Sequence, residues 1–497
     1  MSNVLGIDLG TSAVKAVVVD ARERMLASAW EALTTAHPEP LAAEQHPDDW
    51  WRAVAAVLDR LAAEAPAAMA GVAAIGLSGQ MHAAVLLGAD DRPLGPAPLW
   101  NDGRAHREAA WLSEDAGDLA TILGVPPSAS FTASKLLWLA RRDPGLLGRA
   151  RTLLLPKDTI RLHLTGERAT DVSDAAGTWL LDQASRRWSG AAVERIGLDP
   201  AILPPLVEGN EVTGTVRPAL ARRFGLPDGV VVAGGAGDTP AGAIGIGAVE
   251  EGRAVLTLGT SASLFVATER YRPAPTGFVH AFCHGLPAHW YQMAAMLNGA
   301  SVAATVAGLV GAADVATAIA EAAALPPGPG QLLMLPYLAG ERTPHDDPHA
   351  KGVLFGLTPS TTRAEVVRAA LEGVAFTVAD ALAALAAAGT RVERAALIGG
   401  GAQSRAWAEI IADATGLSLV RHADGVAGPA LGAARLARLA VGGDPGAVLT
   451  VPAAVDVVAP DPASTEAYRP RLDTFRALYR ALRPEFRRGA DAGSMVG

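Results

Sequence analysis

The sequence predicts an α/β protein of two similar domains, and three observations carry that prediction. The chain has 497 residues, more than one hydrophobic core ordinarily organises. The unit Leu-Gly-Thr-Ser-Ala occurs at 9–13 and again at 258–262, about 250 residues apart and between strand-like runs both times, as in an internal repeat. Apolar runs end in glycine clusters that lead into helical segments, at 230–240 and 394–406, the handover that open α/β sheets use. The repeat places the division at residues 1–248 and 249–497.

Composition narrows the function. Half of the residues are hydrophobic and 19% are charged, the balance of a well-buried globular chain. Net charge is −9 with Lys and Arg dispersed, which argues against nucleic acid as a partner. A small anion needs only backbone amides and a metal ion, so it stays open. One cysteine, Cys283, allows no intramolecular disulfide and suits a reducing compartment. The start of the chain has no basic, apolar leader, and apolar stretches such as 300–313 stop short of a membrane span. A cytoplasmic protein with no membrane partner is expected, and a homodimer follows from the prevalence of two-fold assemblies.

Residues 4–8 and 14–20 read as strands around Gly10, Thr11 and Ser12. Glycine lets the backbone approach an anion and aim successive N–H groups at it, and the hydroxyls add donors. Gly259, Thr260 and Ser261 repeat that chemistry, and Lys15 adds a cation beside the first turn. Two such hairpins facing each other could hold a polyphosphate from both sides, although the same letters also make ordinary hairpins. Asp8 precedes the first turn where Thr257 precedes the second. A lone carboxylate there suits magnesium, or alternatively caps the turn.

Ser78-Gly79-Gln80-Met81-His82 follows a strand at 72–77. It sets hydrogen-bonding Gln80 and His82 beside apolar Met81, a sugar-like wall. Trp100, Asn101, Asp102 and Arg104 add an aromatic face and polar groups; ordinary loop packing is the alternative for both segments. Gly234-Gly235-Ala236-Gly237-Asp238-Thr239-Pro240 leaves a strand and begins a helix. Asp238 there is either a catalytic carboxylate at a strand's carboxyl end or a helix N-cap. Phosphoryl transfer to a hydroxyl needs a carboxylate for the proton, and Asp238 is the candidate. Gly399-Gly400-Gly401-Ala402-Gln403 forms a strand-to-helix turn without dinucleotide-binding spacing, and there is no Walker A sequence. His280, Cys283, His284 and His289 match no strong zinc pattern.

Taken in order, these residues resemble the FGGY carbohydrate kinases over essentially the whole chain, and within them the members acting on xylulose. Gly6-Ile7-Asp8-Leu9-Gly10-Thr11-Ser12, Glu44-Gln45-His46-Pro47, Gln80-Met81-His82 and Leu99–Arg104 are similar to family segments. So are Leu155-Pro156-Lys157-Asp158, Ser173–Thr178, Gly340-Glu341-Arg342-Thr343-Pro344-His345 and Gly352–Leu357. The resemblance implies an actin-like fold of two ribonuclease-H-like domains, with the site in the interdomain cleft. It implies ATP and Mg²⁺ as cofactors, a ketose as small-molecule partner, and Asp238 as base. Gln80, Met81, His82, Trp100, Asn101, Asp102 and Arg104 would meet the sugar. Gly10, Thr11, Ser12, Lys15, Gly259, Thr260 and Ser261 would hold phosphates, Asp8 the metal, and Gly400, Gly401, Ala402 and Gln403 the adenosine. D-Xylulose, phosphorylated at its C5 hydroxyl, is the expected acceptor. Thr239-Pro240 and Ala83 depart from the family's usual Asn or Gln and Gly beside the sugar. Ribulose, arabinitol, a hexulose or glycerol therefore stay as alternatives, as does a non-catalytic nucleotide switch on the same fold.

Overall fold

The first glycine turn reverses the chain between two apolar strands and so starts a sheet. In the computed structural model, which describes residues 2–114, 116–422 and 428–494, β1 (Asn3–Leu9) pairs antiparallel with β2 (Ala13–Val19), Asp8 lying opposite Lys15. β3 (Met25–Ala32) adds antiparallel at the edge. Helix α1 (Pro47–Glu64) starts with His46 accepting from the Asp48 amide and Pro47 in its first turn. Trp50, Val54, Val57, Leu58 and Leu61 fall on one stripe and are buried in the core that they share with the sheet, the 3.6-residue repeat of a helix covering a sheet. β4 (Val72–Gly79) runs parallel to β1. After α2 (Pro156–Thr165) come β5 (Val212–Thr215) and β6 (Val231–Ala233), giving the order β5-β6-β4-β1-β2-β3. Ala236–Gly237 adds a last short pairing to β4, and α3 (Asp238–Gly245) follows at once.

The second half repeats the plan. Its strands are β7 (Ala254–Leu258), β8 (Ala262–Thr268), β9 (Val279–Cys283) and β10 (Trp290–Met296). After helices α4 (Ala300–Leu309) and α5 (Arg363–Ala387), β11 (Arg394–Ile398) leads to α6 (Arg405–Thr415) and β12 (Ser418–His422). Then come α7 (Pro429–Ala440), β13 (Ala454–Val458) and α8 (Pro462–Ser494). The order β10-β8-β7-β11-β12-β13 matches β3-β2-β1-β4-β6-β5 step for step, in strand sense as well, with β9 added outside β10. The duplicated turn thus marks a duplicated sheet.

The identical letters close differently. Leu9 pairs with Val14 but Leu258 pairs with Ala262, so the second loop is one residue shorter. Helix α5 is apolar and long enough to cross a membrane, yet 78% of its apolar window is buried within the protein: it is a core helix. Helix α8 runs unbroken through Pro470 and Pro484. Tyr468, Phe475 and Tyr479, buried against the second domain's core, hold the helix by packing where the prolines weaken its hydrogen bonding.

Helix α7 comes from the second half of the chain but packs on the first sheet. Gly6 and Gly76, neighbours on β1 and β4, leave room for it. A Cβ on Gly6 would lie 1.9 Å from the Ala430 carbonyl oxygen, and one on Gly76 1.8 Å from that of Ala433. On the far side of α7, a Cβ on Gly432 would lie 1.8 Å from the Ala241 carbonyl oxygen of α3. The helix is thus wedged between backbones on two sides at the junction of the domains. Gly432→Ala should cost about 3 kcal/mol or more in urea unfolding, because backbone must move to admit the methyl. Gly308→Ala, with no atom near its Cβ, should instead gain up to about 1 kcal/mol.

Candidate active site

Strand ends of the first sheet deliver two carboxylates to the cleft. Asp8 ends β1 beside β4, where Ser78 Oγ donates to its Oδ1 at 3.0 Å. It accepts from no turn amide among the described residues, so it does not cap the turn. Burial and the Asp238 carboxylate push Asp8 up to about 7, while Ser78 and Lys15 pull the other way. Asp238 is the first residue of α3; the capping position belongs to Gly237. Its Oδ1 accepts from the Thr239 N–H at 2.7 Å and the Thr239 hydroxyl at 3.3 Å. Oδ2 has no protein partner among the described residues. Burial pushes Asp238 up to about 6 against those hydrogen bonds, so it is an enclosed carboxylate with one oxygen anchored and one available.

The two glycine turns present donors. In the second, the carbonyls turn away: Gly259 O accepts from the Ala300 N–H at 2.6 Å, Thr260 O from Ser301 Oγ at 2.6 Å, and Ser261 O from the Gly259 N–H at 3.0 Å. The Thr260 and Ser261 amides have no partner among the described residues, the arrangement of an anion-binding nest. In the first turn Gly10 N–H donates to Ala13 O at 3.0 Å and Ser12 O accepts from Leu33 N–H at 2.8 Å, and the Thr11 and Ser12 amides are likewise available. Lys15 is exposed on the adjoining strand. Gly399, at φ 96°, and Gly401 sit on the second turn. Cβ atoms there would lie 2.6 Å from Leu258 O and 2.5 Å from Leu258 Cδ2. The Gly399–Gln403 turn therefore touches the second hairpin. A cavity of about 700 Å³ is lined by Asp8, Lys15, Gly428, Pro429 and Leu431, among others.

Thr11 behaves otherwise than its place in the motif suggests. Its hydroxyl donates to Gln80 Oε1 at 3.0 Å and accepts from Trp100 Nε1 at 3.0 Å, so both capacities join the phosphate turn to the sugar wall. Gln45 completes the join: its Nε2 donates to Thr11 O at 2.8 Å, and its Oε1 accepts from Gln80 Nε2 at 3.0 Å and Trp50 Nε1 at 2.7 Å. The Glu44–Pro47 segment by itself gives Gln45 no role; only folding shows that it bridges.

Met81 and His82 occupy space left by glycines. A Cβ on Gly237 would lie 2.6 Å from Met81 Sδ, and one on Gly177 2.2 Å from His82 Nδ1; Met81 therefore packs on the residue preceding Asp238. His82 has φ 73°, a strained backbone for a side chain of its size. Thr132 Oγ1 and Lys135 Nζ, both 3.0 Å from its carbonyl oxygen, hold it there. Burial, reinforced by Lys135, drops His82 to about 3, so the ring is neutral. Its Nδ1 lies 2.7 Å from Gly177 O; with the proton on Nδ1 for that bond, Nε2 is an acceptor.

Asp102 and Arg104 have other work. Asp102 is buried and accepts from Ala43 N–H at 3.0 Å and from Arg104. The Arg104 guanidinium also reaches Glu39 at 2.9 Å and Glu44 at 2.7 Å and lies 4.3 Å from the Trp138 ring centroid. With its donors engaged, Arg104 braces the wall from behind. Of this segment Trp100 is tied to Thr11, and Asn101 is exposed.

A buried ionic cluster underlies Asp238. Lys157 Nζ lies 2.6 Å from both Asp158 Oδ1 and Asp171 Oδ2 and 3.3 Å from Asp174 Oδ2, all fully buried. Asp171 Oδ1 accepts from Ser173 Oγ at 2.5 Å, and Ser173 Oγ in turn accepts from the Gly237 N–H at 3.2 Å. Arg161 donates to the carbonyls of Ala233 at 2.7 Å and Gly234 at 2.5 Å. Every backbone group on the approach to Asp238 that these contacts touch is thereby fixed from below.

The chain as a whole is similar to known proteins. Residues 3–245 match the model for the FGGY family of carbohydrate kinases, N-terminal domain, and residues 254–441 that for its C-terminal domain. The chain is 42% identical to xylulose kinase of Escherichia coli (strain K12) over 482 residues, covering 97% of this chain and 99% of that one. It is 34% identical to xylulose kinase of Bacillus subtilis (strain 168), covering 89% of each. A crystal structure of a xyloylose kinase from Brucella ovis superposes with a TM-score of 0.94 at 42% identity, over 97% of this chain and 99% of that one.

Proposed function

The chain belongs to the FGGY family of carbohydrate kinases, matching its two domain models over most of its length, and from that premise we propose that it transfers the γ-phosphoryl group of ATP to the C5 hydroxyl of D-xylulose. The observation that carries the reading is Asp238: a carboxylate with one oxygen anchored by Thr239 and the other available, next to the residue on which Met81 packs and near enough to Asp8 to raise its proton affinity. We assign the domains as 1–248 and 249–497, with the sugar on the first and the adenosine at Gly400–Gln403 on the second.

In the reaction the acceptor hydroxyl gives its proton to Asp238 Oδ2, its oxygen bonds to the γ-phosphorus, and the bond from that phosphorus to the β-phosphate oxygen breaks, leaving ADP. The amides of Thr11, Ser12, Thr260 and Ser261, with Lys15, receive the phosphate oxygens, stabilising charge with donors fixed before the reaction. His82 Nε2 accepts from a sugar hydroxyl, and Met81 packs against the carbon chain. Asp8 fits Mg²⁺: it is an oxygen donor whose proton affinity burial and the nearby Asp238 raise, and a divalent ion relieves such crowding of negative charge. Bound there, Mg²⁺ would neutralise phosphate charge as the phosphoryl group moves.

Initial rates of ADP release from purified protein, ATP and a panel of acceptors test the assignment. D-Xylulose should exceed D-ribulose, L-ribulose, D-arabinitol, gluconate and glycerol by at least about tenfold in kcat/KM. A better acceptor within the panel overturns the xylulose assignment, and ATP binding without acceptor-stimulated ADP release overturns the kinase.

A further inference from the structure

Arg342 stands on the second domain, on a mount fixed from both sides. The preceding Glu341 carboxylate accepts from Leu297 N–H at 2.7 Å and from the Arg342 N–H at 2.8 Å. The following Thr343 hydroxyl donates to Phe278 O at 2.8 Å and accepts from Ala295 N–H at 3.1 Å. From this mount the guanidinium crosses to the first domain, where Nη2 donates to Ser130 Oγ at 3.2 Å. Ser130 belongs to the wall of His82: its carbonyl and that of His82 share the Lys135 ammonium. The Arg342 charge also bears on the His82 and His280 rings, helping to hold both neutral. Among the described residues no carboxylate lies within 4.0 Å of this guanidinium, and Ser130 is its only side-chain partner.

A guanidinium has five N–H donors; Arg342, partly exposed, spends one on a side chain and leaves the others free to meet acceptors brought by a ligand. Met81 packs against the residue before Asp238, and His82 follows it. A pentulose lying from Asp238 past Met81 therefore brings its far end, the C2 carbonyl and C1 hydroxyl, to His82 and Arg342. We infer that Arg342 is a specificity-determining residue that donates charged hydrogen bonds across the cleft to the carbonyl end of the ketose. This rests on the kinase reading above. A carbonyl oxygen only accepts and a guanidinium only donates, so the pair matches without a leftover proton; a pentitol hydroxyl at the same place brings one.

The test compares kcat/KM for D-xylulose with that for xylitol and D-arabinitol in wild type, Arg342→Met and Arg342→Lys, with circular dichroism to confirm folding. Wild type should prefer the ketose by about 10²-fold or more. Arg342→Met should lose most of that preference through a raised KM for xylulose, with KM for ATP unchanged, and Arg342→Lys should recover part of it. Equal losses on ketose and pentitol, or a raised KM for ATP, overturn the inference. So does a wild type that uses xylitol as well as xylulose, whether or not the variants fold. A wild type inactive on xylulose fails the kinase reading instead, which separates the two.

Discussion

Asp238→Asn should lower kcat by about 10³–10⁴-fold while leaving KM for ATP within about threefold, because general-base assistance contributes on that scale and the carboxylate does not touch the adenosine turn. Asparagine keeps the shape and can keep the Thr239 N–H bond to its oxygen, so the fold survives and the loss reports proton transfer. The pH dependence follows from burial. Asp238 is pushed up to about 6, and only its charged form accepts the proton, so wild-type kcat/KM should fall as pH drops through about 6. Asp8, pushed up to about 7, should add to that limb at low Mg²⁺ and recede as Mg²⁺ is raised. Residual activity of the variant, measured with stopped ADP-release assays, should lack the Asp238 limb. Turnover within tenfold of wild type would dismiss Asp238 as the base.

Lys157→Met should be the most destabilising single change in the first domain, at about 3–5 kcal/mol, since it strands buried carboxylates without their cation. Burial drives Asp174 well above the ordinary carboxylate range, while Lys157 reaches Asp158 and Asp171 at 2.6 Å and Arg161 reaches Asp158 at 3.2 Å. Adding Asp171→Asn to Lys157→Met should therefore restore part of the loss, a coupling that only neighbours show. Urea unfolding followed by near-UV circular dichroism reads both. A Lys157→Met protein within about 0.5 kcal/mol of wild type would deny the cluster any part in holding the Asp238 approach.

Much of the site was legible because its chemistry is local. Gly10–Ser12 and Gly259–Ser261 could be read as donor turns because the amides left without protein partners belong to consecutive residues. Asp238 could be read because a strand, a glycine run and a helix start meet there, although capping competed with catalysis until the fold placed Gly237 at the cap. Thr11 and Arg104 were harder. Their chemistry suits ligands, but their partners, Gln80 and Trp100 for one and Asp102, Glu44 and Glu39 for the other, come from distant segments. Gln45, Ser173 and Arg342 had no separate role for the same reason.

By itself the amino-acid order determined that there are two like domains, where each glycine hairpin lies, and which carboxylate follows the first sheet's last strand. These are properties of neighbours along the chain, set by backbone freedom and periodic burial. The tertiary structure alone decided what each polar side chain faces, that α7 crosses onto the other domain's sheet, and that one copy of the repeated turn is a residue shorter. Those outcomes depend on which segments touch, and such contact is settled only when the whole chain packs at once.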